Sequence, residues 1–158
     1  IHYEQIEDEK KDLKPLKDAD RKIDFFLKEY PNSDYAIDLK FKKDLIQNQL
    51  AAKELYVAKY YVEVQKWIPA INRLKVIIND YDETIFTEEA LHRLVEIHYH
   101  LGLEEEARVY ANILGYNYNS SEWFQQSYKI LNKDYKIVKK IEPKNDKSFF
   151  KKILNKIK

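Results

Sequence analysis

Three tyrosines, Tyr30, Tyr81 and Tyr118, hold the same place in a recurring pattern, and that repetition constrains the fold more than any other feature of the chain. Eleven residues before each stands an alanine: Ala19, Ala70 and Ala107. Seven before stand Ile23, Leu74 and Ala111, and four before stand Phe26, Ile77 and Leu114. Five after each comes a large aromatic (Tyr35, Phe86, Trp123), and nine after come Leu39, Ala90 and Ser127. The second and third copies lie 37 residues apart, close to the ~34-residue period of tetratricopeptide repeats. The first and second are 51 apart.

A small residue near the start of the second helix of a hairpin lets two backbones approach, and bulkier residues one and two turns later fill the remaining groove. Ala70, Leu74 and Ile77 follow this rule. In the preceding helices the matching places hold Val57, Ala58 and Tyr61, then Leu94, Val95 and His98. Pro31 closes the first copy, where Asp82 and Asn119 stand in the others. The three aromatics in repeat register are expected to pack between helices rather than stack on bases.

Helices are expected near 12–29, 34–65, 68–80, 85–101, 103–115 and 121–138. Ser33, Thr84 and Ser121 are the expected N-caps. Gly102 is placed to end a helix in a left-handed conformation, and Glu104, Glu105 and Glu106 put negative charge on the next helix start. The extra residues in the longer gap would lengthen the helix from Ser33 to about Val64 by roughly 21 Å, making it project from the array.

With Gly 2 and Pro 4 in 158 residues, little turn chemistry is left for strands, so the chain reads as all-α: tetratricopeptide-like hairpins in a right-handed solenoid. The repeat domain spans 1–138, with hairpins ending near 30, 81 and 118 and a capping helix over 121–138. A linker over 139–147 and a basic amphipathic tail over 148–158 complete it. Net charge is +1, yet the residues from Asn132 onward carry ten lysines against three acids, +7, leaving −6 on the body. In the tail, Phe149, Phe150, Ile153, Leu154 and Ile157 share a helical face opposite Lys147, Lys151, Lys152, Lys156 and Lys158. That pattern suits an anionic membrane surface or a partner, and equally a solubilising end or a cap on the last repeat.

Cysteine is absent, which excludes disulfides and thiolate chemistry, and no apolar run reaches the ~18 residues a spanning helix needs. The chain starts at Ile1 and holds no methionine, so any signal or lipid-attachment site is expected upstream. His92, Glu96 and His100 share one helix face, but the outer two would lie about 12 Å apart on a straight helix, too far for one ion. Paired carboxylates, a nucleophile elbow and a phosphate loop are all missing from the pattern, so no catalysis and no cofactor are expected. The balanced charge also argues against nucleic acid.

The segments KELYVAKYY, AINRLKVIINDY, EALHRLVEIHYHLGLEEEARVYANILGYNYNSSEWFQQSY and YPNSDYAIDLKFKKDLIQNQLAAKE resemble the BamD (ComL) outer-membrane assembly lipoproteins, in their alphaproteobacterial version. LGYNY-x-x-S-x-W, from Leu114 to Trp123, is the most specific part. The family carries a lipidated cysteine and further repeats, whereas this chain is expected to begin inside the second repeat. The resemblance implies a scaffold on the periplasmic face of the outer membrane, anchored by a lipid upstream of Ile1. It implies docking on the last POTRA domain of BamA, the barrel-forming subunit, with other assembly lipoproteins and unfolded outer-membrane proteins as further partners. The family's Asn-Arg pair, associated with that docking, falls on Asn72 and Arg73. The tail residues Phe149, Phe150, Lys151, Lys152 and Ile153 are the second expected contact, with membrane or partner. The alternative from another class is a general adaptor whose concave face binds extended peptides.

Overall fold

The computed structural model describes residues 13–132. They form six helices: α1 (Lys14–Glu29), α2 (Ala36–Glu63), α3 (Trp67–Asp80), α4 (Thr87–His100), α5 (Glu104–Asn117) and α6 (Glu122–Leu131). No strand occurs among the described residues. Each helix packs on the next, α1 on α2 through to α5 on α6, and α6 also rests on α4. The linker over 139–147 and the tail with Phe149, Phe150, Lys151, Lys152 and Ile153 lie outside the described residues.

The three superposed tyrosines do the same structural work. Tyr30, Tyr81 and Tyr118 are the C-caps of α1, α3 and α5, each with φ between −131° and −136°. Their amides donate to Phe26, Ile77 and Leu114 at 2.8–3.0 Å, and their carbonyls accept from the amides of Ser33, Thr84 and Ser121 at 3.0–3.2 Å. One side of each hairpin joint is therefore the same turn made three times.

The other joints also repeat. After α4, the amide of Gly102 bonds Tyr99 O at 3.0 Å and that of Leu103 bonds His98 O at 2.8 Å, with Gly102 at φ 77°. This is a Schellman end, and the left-handed residue falls where expected. Thirty-seven residues earlier Gln65 takes that place at φ 55°, its amide bonding Val62 O and that of Lys66 bonding Tyr61 O. A side chain there costs about 1 kcal/mol relative to glycine.

Three expectations need correction. Only Ser121 caps a helix, accepting from the Phe124 amide at 3.1 Å. Before α2 and α4 the chain makes one extra tight turn, with Ala36 N–H to Ser33 O and Thr87 N–H to Thr84 O. This moves the caps to Tyr35 and Phe86. Ser33 Oγ accepts from the Tyr35 amide at 3.3 Å, and the Thr84 hydroxyl donates back to Tyr81 O at 2.7 Å. Second, the expected helix is interrupted after Leu131, where Asn132 turns extended; residues 133–138 of it lie outside the described residues. Third, Tyr35 does not enter a core: it is largely exposed, while Phe86 packs on the main cluster and Trp123 stacks on His92.

The core sits on α4. Leu94, Ala90 and Ile97 join Ala51, Leu55 and Ala58 of α2 and Ala70, Ile71, Leu74 and Ile77 of α3 in one cluster. On the other side of α4, Val95 meets Ala107 and Ala111 of α5. The long helix does extend past the α3–α4 turn, whose Ile85 amide bonds Asn48 Oδ1 midway along α2 at 3.3 Å. It does not extend alone. α1 runs beside its first half, tied by Lys43 to Asp24 at 2.5 Å, so the projection is a two-helix arm.

Candidate partner-binding site on the α2–α3 hairpin

Asn72 and Arg73 lie on the middle of α3, both exposed. Ile68, Asn72 and Lys75, at helical spacing, share this outward face, and Ile68 is an exposed apolar residue beside the pair. Arg73 is not loose. Its Nη1 donates to Glu54 Oε2 of α2 at 3.0 Å, with side-chain exposures of 45 % and 11 %. No other hydrogen bond or ion pair engages Arg73 among the described residues, so most of its N–H donors remain for a ligand.

Glu54 is the residue that sequence reasoning missed. It interrupts the buried face of α2 made by Leu50, Ala51, Leu55 and Ala58, and burial there leaves its carboxylate dependent on Arg73. The signal was present: a glutamate in helical register with four small or aliphatic inward positions. Its charge reaches the end of α3, where burial first and then Glu54 push the Tyr81 phenol up.

The histidines of α4 are each placed against an aromatic ring. His100 meets Trp67, His98 meets Tyr110 and His92 meets Trp123, with centroids 4.9–5.1 Å apart. His98 Nδ1 is 2.7 Å from Leu94 O, and so donates to it. His92 Nδ1 is 2.9 Å from Ser127 Oγ, and its Nε2 is 3.4 Å from Glu96 Oε1. With Nε2–H turned to Glu96, Nδ1 accepts the Ser127 hydroxyl. This Ser-His-Glu order superficially suggests a nucleophile, but Ser127 is 0 % exposed and His92 2 %, so the chain of bonds fastens α6 to α4. The bond from His92, with help from Arg93, holds the Glu96 carboxyl below the usual range despite partial burial.

A groove of about 220 Å³ opens between α2, α3 and α4, lined by Ala58, Lys59, Val62, Glu63, Leu74 and Arg93. Beside it Glu89 accepts from both Lys59 (2.8 Å) and Arg93 (3.3 Å), and Arg93 also reaches Glu96 at 2.7 Å.

Residues 1–113 match the model of the YfiO family, described as an outer membrane lipoprotein. The chain belongs to this family. Among YfiO-family relatives, the outer membrane protein assembly factor BamD of Rickettsia prowazekii is 41 % identical over 102 residues, 65 % of this chain and 41 % of its own length. BamD of Caulobacter vibrioides is 36 % identical over 131 residues, 83 % of this chain and 43 % of its own length. BamD of Vibrio cholerae is 33 % identical over 95 residues, 60 % of this chain and 39 % of its own. The chain thus spans roughly two fifths of the relatives it matches. The family match takes in Glu54, Asn72 and Arg73 and stops before Tyr118 and α6.

Proposed function

We propose that the chain is a non-catalytic scaffold part of the outer-membrane β-barrel assembly machinery, held at the periplasmic face of the outer membrane and docking through α3 on the last POTRA domain of BamA. The relatives named as outer membrane protein assembly factors support the setting. The observation that carries the docking surface is Arg73: a guanidinium half in solvent, gripped at one nitrogen, with its remaining donors free for a partner carboxylate. Asn72 and Ile68 add an amide and an apolar contact on the same face.

Calorimetric titration of the purified POTRA domain into the chain tests the reading, with Arg73→Ala and Asn72→Ala as the variants. Arg73→Ala is expected to weaken binding by about tenfold or more, as for loss of a charge-assisted contact. Arg73→Glu is the wrong variant, because it sets a second carboxylate against buried Glu54 and damages the hairpin itself. Unchanged affinity in Arg73→Ala would remove α3 as the docking face. The groove lined by Val62 and Leu74 favours one second reading, capture of an extended peptide's apolar side chain. Peptide binding that Val62→Glu abolishes, with no POTRA binding, would favour that adaptor instead.

A further inference from the structure

We propose that Glu54 is the positioning residue of this docking surface: its buried carboxylate fixes the Arg73 guanidinium in the orientation a partner carboxylate needs. This rests on the reading of Arg73 as a docking residue. Three features of the site lead to it. Glu54 cannot move away, because Leu50, Ala51, Leu55 and Ala58 hold its face of α2 inside the core. Its bond is to a terminal nitrogen, Nη1, so the planar fork is pinned at one corner and its other edge stays open. The carboxylate lies on α2 while the guanidinium stem rises from α3, so the grip depends on the hairpin being closed.

An arginine without such a grip samples many rotamers and loses that freedom on binding. Immobilising one long side chain weakens association by about two- to tenfold, and a preorganised one avoids most of that loss. A carboxylate placed in the core of a helical hairpin is otherwise a poor stabiliser, since an apolar residue of like shape would pack there without losing its hydration. Its placement opposite a solvent-facing arginine makes sense if the arginine has work to do outside.

The test is a double-mutant cycle on the full chain, read three ways: POTRA affinity, thermal melting, and the order of the Arg73 side-chain Nε–H signal, one of four arginine signals in this chain. Glu54→Gln keeps the shape and an acceptor oxygen while removing the charge. It is expected to lower affinity about two- to tenfold, to average the Arg73 Nε–H signal, and to add nothing to the affinity loss when Arg73→Ala is already present. An Arg73 signal that is already averaged in the unaltered chain would overturn the proposal while leaving the docking face intact. So would a Glu54→Gln loss of equal size with and without Arg73, which a mere packing role would give. If Arg73→Ala binds normally, the docking reading and the proposal fall together, and the Nε–H signal alone still reports whether Glu54 holds the side chain.

Discussion

The arm and the α4-centred body use the same residue register and reach different ends. In the second and third copies the register positions are sealed: Ala70, Leu74, Ile77 and Ala90, then Ala107, Ala111, Leu114 and Ser127, are all buried. In the first copy Ala19, Ile23, Phe26 and Leu39 are only half-buried, and α1 has no buried residue at all. The arm also exposes Phe25, Tyr30, Tyr35, Phe41 and Leu45, and Ile37 is 82 % exposed. Register decides which side chains face inward, and neighbours decide whether facing inward means burial. Among the described residues, α4 has α3, α5 and α6 around it, while α1 packs chiefly on α2.

The comparison can be broken by mutation. Leu94→Ala, in a fully buried position, is expected to cost about 2–5 kcal/mol in denaturant unfolding. Phe41→Ala on the arm is expected to stay within about 0.5 kcal/mol. Equal losses would mean the arm is covered in solution as thoroughly as the body. Next in size is Gly115→Ala. Its new Cβ would lie 2.5 Å from the Phe124 ring, so the ring or the helix that carries it must shift, at about 1–3 kcal/mol. Shortening the intruding ring with Phe124→Leu in the same chain should recover part of that loss in the same melts.

Acid should separate the two regions by sign. Burial, then the neighbouring charge of Asp24, raise Asp20 on the arm despite Lys43. Folding therefore favours its protonated form, a contribution present below the ordinary aspartate pKa and lost as pH rises through the raised one. Glu96 in the body is lowered, so its contribution is present above the ordinary glutamate pKa and lost as pH falls through the depressed one. Asp20→Asn should raise the melting temperature at neutral pH and Glu96→Gln should lower it, both differences closing in acid. Parallel shifts at every pH would show that neither carboxyl titrates with folding. A smaller effect than in the core is expected at the hairpin ends, where Gln65→Gly should stabilise by about 1 kcal/mol and Gly102→Ala should destabilise by as much.

Much of this was legible in the chain itself. The tyrosines, the small residues behind them and Gly102 carry local, periodic information, and they lie where periodicity puts them. Ser33 and Thr84 misled because a hydroxyl followed by a helix has two solutions, cap or preceding turn, and the choice rests on the extra 33–36 and 84–87 hydrogen bonds. Tyr35 misled because, among the described residues, its copy has fewer neighbours than the other two. The proposed docking pair Asn72 and Arg73 was locatable by resemblance, whereas Glu54 was not, since its meaning comes from a partner 19 residues away. Ser127 was visible as a small residue in register, but not as the hydroxyl that completes His92.

One helix belongs to both regions. α2 runs unbroken for 28 residues, from the exposed stripe at Ile37 and Phe41 to the buried grip at Glu54. Phe41 and Glu54 are separated by about 20 Å of continuous rod. Whatever meets the outer stripe therefore touches the same unbroken rod that carries the carboxylate behind Arg73.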